Sequence, residues 1–69
     1  MQIQLNGETR EVADESTLSA LIAALDLEPT RVAIELNHNV VRRHDWAETT
    51  LQAGDRVEIV HFVGGGAVA

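Results

Sequence analysis

Hydrophobic and polar positions change their period several times along this chain, and each change marks an element. Met1, Ile3 and Leu5 alternate with Gln2 and Gln4, the pattern of a strand with one buried face. Asn6-Gly7 follows at once, a two-residue turn signal built from residues that tolerate positive φ. Glu8 to Val12 is therefore expected to return antiparallel, although only Thr9 and Val12 favour a strand there. Asp14, Glu15, Ser16 and Thr17 offer cap oxygens and negative charge for a helix N-terminus. Leu18, Leu21, Ile22 and Leu25 then recur at helical spacing as one apolar stripe. Ala20, Ala23 and Ala24 add helix propensity and permit close approach to a sheet. Pro29 stops this helix by about Leu27.

Alternation resumes with Val32, Ile34 and Leu36 against Ala33 and Glu35, a third strand. Asn37-His38-Asn39 is turn chemistry, and Val40-Val41 reads as a short fourth strand. Arg42 to Gln52 is polar with Trp46 and Leu51 as apolar anchors, an irregular segment with a helical turn. Ala53-Gly54-Asp55 turns the chain into the final strand, Arg56 to Val63. The expectation is an α+β domain over residues 1–63, a mixed sheet of four to five strands packed on one main helix, followed by a flexible glycine-rich tail over 64–69. In the final strand Val57, Ile59 and Val63 share one face with His61, and Val60 and Phe62 share the other with Glu58. One helix covers only one face, which makes Val60 and Phe62 candidates for an exposed apolar patch. The competing reading folds Phe62 under a neighbouring loop.

Composition narrows the function. Sixty-nine residues make one small domain, without room for separate catalytic and substrate domains. There is no cysteine, which excludes disulfides, thiolate metal sites and thiol nucleophiles. Five basic residues, all arginine, face eleven acidic ones for a net charge of −6, so the footprint for nucleic acid or an anionic membrane is missing. Without lysine, Schiff-base and P-loop chemistry are excluded as well. No positive leader and no apolar run of the ~18 residues needed for a membrane span are present, so the cytoplasm is the expected compartment. His38, His44 and His61 lack metal-ligand spacing, and Ser16 and Ser19 read as caps before nucleophiles, so neither a metal site nor an enzyme active site is expected. Arg42-Arg43 pairs two fixed cations before a turn, suited to an acidic partner or to solvent.

Gly64-Gly65-Gly66 ends the regular pattern and is followed by Ala67-Val68-Ala69. Three glycines read either as a frayed terminus or as a tail built to thread a narrow active-site channel, since glycine has no Cβ. Extended, residues 63–69 would reach roughly 23 Å.

Taken together, strand, Asn-Gly turn, strand, capped helix, strands and glycine tail resemble the β-grasp, ubiquitin-like architecture. More narrowly, the chain resembles the ThiS family of sulfur carriers of thiazole (thiamin) biosynthesis, through Ala33 to Asn37, Val41 to Trp46, Leu51 to Asp55 and Val57 to Gly66. The resemblance covers nearly all of Met1 to Gly66. It implies a carried substrate rather than an enzyme. A ThiF-type adenylating enzyme would use ATP and Mg to activate the carboxyl of Gly66, after Gly65, and a persulfide sulfur donor would convert it to a thiocarboxylate for thiazole synthase. Val60, Phe62, Val63, Gly64 and Arg42 would then be the partner-binding residues, with no cofactor bound by the chain itself. Ala67-Val68-Ala69 depart from the family pattern, which ends at the glycines: they are trimmed off after Gly66 (or Gly65), are an added extension, or mark a variant that no longer acts as a carrier, and trimming to Gly66 is the expectation. A molybdopterin synthase small subunit, a ubiquitin-like modifier and an inert interaction domain are the alternatives.

Overall fold

The computed structural model describes residues 1–63 and 67–68, with Val63, Ala67 and Val68 described through their backbone alone. Strands β1 (Gln2–Leu5) and β2 (Glu8–Glu11) form an antiparallel hairpin. Its turn holds Asn6 at φ 49° and Gly7 at φ 82°, the left-handed pair anticipated from their sequence. A second hairpin joins β3 (Val32–Leu36) to β4 (Asn39–Val41) through Asn37 and His38, at φ 51° and 72°. Strand β5 (Arg56–Val63) is the longest. The order across the sheet is β2-β1-β5-β3-β4, parallel between β1 and β5 and antiparallel elsewhere. The α+β, β-grasp expectation holds at five strands. A two-residue strand not foreseen in the sequence, β6 (Ala67–Val68), pairs antiparallel with the end of β5, setting Phe62 opposite Val68 and Val63 opposite Ala67.

Helix α1 (Leu18–Ala24) starts at Thr17, whose Oγ1 accepts from the Ala20 amide at 3.1 Å. Asp14, expected to serve the helix N-terminus, instead accepts from the Met1 ammonium at 3.3 Å, alongside Glu11 at 2.7 Å. No acidic residue occupies the first helical turn. The helix stops before Leu27 because Asp26 turns left-handed at φ 57°. The Asp26 amide donates to the Ala23 carbonyl and the Leu27 amide to the Ile22 carbonyl, each at 3.1 Å, a Schellman closure that satisfies the last carbonyls. Pro29 opens a separate 3₁₀ turn, Pro29–Arg31, instead of ending the helix itself.

The apolar stripe of α1 meets one face of the sheet. Leu18, Leu21 and Ile22 pack with Ile3, Val32, Ile34 and Val57, and Trp46 and Leu51 close the end of the core. Leu18, Ile34 and Val57 have no exposed surface at all. Among the described residues no buried side-chain polar atom lacks a partner. A core this small feels each methylene group: Ile34→Ala is expected to cost about 2–5 kcal/mol in urea unfolding, through lost burial and an unfilled cavity. The hydrogen bond that the Met1 ammonium donates to Glu11, helped by the one to Asp14, raises the pKa of the amine against a smaller desolvation effect. That contribution to stability is complete below the unfolded amine's pKa of about 8 and is lost as pH rises through the higher folded value. The unfolding midpoint therefore falls on the alkaline side, and acetylating the amine removes that pH dependence.

Candidate docking face and tail

Strand β5 is held at both edges by asparagine side chains that imitate backbone. At the end of β1, Asn6 Oδ1 accepts from the Ile59 amide at 2.7 Å and its Nδ2 donates to the Ile59 carbonyl at 3.3 Å. Its own amide donates to the Val57 carbonyl at 2.9 Å, so the parallel ladder continues past the last residue of β1. On the other side, Asn37 Oδ1 accepts from the Arg56 amide at 2.9 Å, and its Nδ2 donates to Asp55 at 3.1 Å. The other Asp55 carboxylate oxygen accepts from the Gln52 amide at 2.8 Å, closing the turn that feeds β5. Both asparagines sit at left-handed turn positions, a conformation this side chain tolerates better than most. Turn chemistry and strand registration thus reside in the same two residues.

The face of β5 away from the helix carries Glu58, Val60 and Phe62, as the alternation anticipated. All three are half-buried. The register extends this face across the sheet: Val60 lies opposite Ala33, Glu58 opposite Glu35, and Glu35 opposite Val40. Val40 is 72% exposed, the large apolar side chain most open to solvent among the described residues. It was missed as a site residue, although the Val40-Val41 dipeptide carried the signal. On a strand, adjacent residues face opposite ways, and Val41, opposite the buried Ile34, takes the core side. Extending the β3–β4 register by one residue sets Arg42 beside Ala33, in the row that contains Val60. Arg42 is exposed and begins the 3₁₀ helix Arg43–Glu48, in which the Trp46 indole is buried and donates from Nε1 to the Val41 carbonyl at 2.9 Å. The two adjacent arginines part here. Arg43 lines an apolar groove of about 300 Å³ on the helix side, between α1 and Trp46.

Val60, Phe62 and Arg42 therefore share one face, and β5 runs from it to Val63. Gly64, Gly65 and Gly66 lie outside the described residues, and the side chain of Val63 is likewise undescribed. Of the histidines, His38 is in the β3–β4 turn, His44 lies 3.5 Å from Asp45, and His61 is exposed on β5. Among the described residues no group of three or more His, Asp and Glu side chains gathers in metal-binding geometry. Among the described residues no helix is long and apolar enough to cross a membrane.

The model of the ThiS family matches residues 3–66. A sulfur carrier protein ThiS from Bacillus subtilis is 38% identical over 65 residues, covering 93% of this chain and 98% of that one. A thiazole synthase from Magnetococcus marinus is 42% identical over 66 residues, 96% of this chain but 20% of that protein, so the chain spans a fifth of that relative's length. The crystal structure of a thiamine biosynthesis protein (ThiS) from Geobacter metallireducens superposes with a TM-score of 0.84 at 35% identity, covering 96% of this chain and all of that one.

The asparagine clamps make a direct prediction. Asn37→Ala loses two side-chain hydrogen bonds and strains a left-handed turn, costing about 1–3 kcal/mol in denaturant unfolding. Asn37→Gly relieves the strain and recovers only part of the loss.

Proposed function

The chain belongs to the ThiS family, and from that premise we propose that it carries sulfur for thiamin biosynthesis on the carboxyl group of Gly66. The observation that carries this reading is the continuity of β5 with the glycine run. A strand held by Asn6 and Asn37 presents Val60 and Phe62 on the uncovered face and continues in sequence into Gly64-Gly65-Gly66. The family match ends on Gly66, in keeping with that residue as the working terminus.

A free carboxylate resists nucleophilic attack because its charge and resonance stabilise it. Activation comes from a ThiF-type adenylating enzyme, which binds the MgATP: a carboxylate oxygen of Gly66 attacks the α-phosphate and pyrophosphate leaves. The terminal sulfur of a persulfide donor then attacks the acyl carbon and AMP departs. A thiol splits the resulting acyl disulfide, leaving the thiocarboxylate and taking the donor sulfur into a new disulfide. Thiazole synthase consumes the thiocarboxylate. The reactive atoms thus belong to a backbone carboxyl, and no side-chain thiol of this protein is needed. Glycine suits the role because an extended, side-chain-free tail enters a narrow channel. Val60, Phe62, Val63, Gly64 and Arg42 form the contact surface for both enzymes, which meet the same end of the sheet in turn. The cytoplasm, with its supply of ATP and thiols, is the compartment that suits this cycle.

In this sequence the Gly66 carboxyl is joined to Ala67, so hydrolysis of that bond precedes activation. Intact-protein mass spectrometry of the chain from its source cells tests the proposal. The expected species ends at Gly66 and, in part, has one oxygen replaced by sulfur. A population that retains Ala67-Val68-Ala69 throughout, with no sulfur-substituted form, would contradict it.

A further inference from the structure

Two carboxylates on the uncovered face occupy positions that sheet energetics disfavours. Glu35 on β3 and Glu58 on β5 are directly opposite in the antiparallel register. Such pairs have their Cβ atoms about 4.5–5.5 Å apart, and like charges so placed destabilise a sheet. Both residues are half-buried, and among the described residues neither makes an ion pair or a side-chain hydrogen bond. Arg56, two residues along β5, and Arg42, one row away, make no ion pair with them either. The pair is framed by apolar side chains: Val40 beyond Glu35, Ala33 and Val60 in the next row, and Phe62 farther along β5.

We infer that this face docks thiazole synthase by seating a basic side chain of that enzyme between Glu35 and Glu58, inside the frame of Ala33, Val40, Val60 and Phe62. The inference rests on the carrier reading above and adds the chemistry of the partner's surface. Thiazole synthase is the occupant because a relative bearing that name carries the matching segment as a fifth of its own length. Docking of the apolar frame excludes water, which strengthens the attraction of one cation for two carboxylates. A guanidinium, with its planar fork of donors, reaches both carboxylates at once. A purely apolar partner would bury the two charges unpaired and is rejected. The repulsion in the free carrier is relieved in the complex, and a net charge of −6 steers the carrier toward a basic surface.

The test measures folding and binding on the same variants of the full chain, with thiazole synthase from the same source as the probe. Glu58→Arg converts the like-charged pair into an opposite-charged one. The expected result is a melting temperature raised by about 2–5 °C together with binding weakened by about tenfold or more at low salt. Glu58→Gln moves both quantities in the same directions by smaller amounts. For each variant the gap in affinity from the wild type narrows as salt rises. Val60→Ser removes apolar contact without charge, and its loss of affinity persists at high salt. If Val60→Ser weakens binding while both Glu58 variants bind as tightly as the wild type, the charge inference is overturned and the docking face stands. Unchanged binding in all three variants overturns the docking face as well. A lowered melting temperature for both Glu58 variants removes the premise of repulsion and overturns the inference.

Discussion

Everything else in this domain depends on how β5 is wedged between β1 and β3. β1 supplies few parallel rungs, because it ends at Leu5, and the Asn6 side chain extends the ladder to Ile59. β3 supplies the long antiparallel side, from Val32 opposite His61 to Leu36 opposite Val57, and Asn37 locks its far end at Arg56. With both edges held, β5 can turn Val57 fully into the core while its alternate residues face outward. A chain of 69 residues has one substantial helix to cover a five-stranded sheet, so one face is closed and the other left open. The open face follows from that economy of length, and it is the face on which the proposed docking residues Val60, Phe62 and Arg42 lie.

The strand order also governs where β5 leaves the sheet. β5 is the central strand, so its C-terminal end leaves the sheet from the middle, beside the rows formed by Val60, Ala33 and Arg42. On the docking reading proposed above, a partner seated on the open face lies beside the strand that continues in sequence into the glycines. The pairing of Ala67–Val68 with Phe62–Val63 occupies the backbone of this same strand end. Removing the residues after Gly66 thus frees both a carboxyl group and a strand edge.

Local chemistry was legible in the sequence. The stripe of Leu18, Leu21 and Ile22, the Asn6-Gly7 turn, the anchoring of the irregular segment by Trp46 and Leu51, and the two-faced character of β5 all follow from period and turn residues. What escaped depends on contacts between distant parts of the chain. Asp14 looked like a helix residue because it precedes α1, yet the Met1 ammonium is brought to it by the β1–β2 hairpin. Arg42 and Arg43 read as one basic unit, but the end of β4 and the start of a 3₁₀ helix send them to opposite sides of the sheet. Glu35 and Glu58 are each an ordinary outward residue of an alternating strand, and only the register reveals them as a pair. Val40 belongs to the same class: its exposure is decided by the pairing of Val41 with Ile34. The candidate site was therefore partly readable. The residues of β5, the glycines and Arg42 carried a local signal, and Val40-Val41 carried one that the β3–β4 register was needed to resolve, whereas Glu35 of β3 carried none.

On the function proposed above, the uncovered sheet face, continuous with β5, is the surface by which partner enzymes recognise this protein. Amide hydrogen exchange, with and without saturating thiazole synthase, addresses it most directly. New protection is expected along β4 and the C-terminal end of β5, from Val40 to Arg42 and from Val60 onward, with the outer side of α1 unchanged. Protection concentrated instead on Ser19 to Ala24 and on the segment around Arg43 and Ala47, with β4 and the end of β5 unaltered, would contradict it.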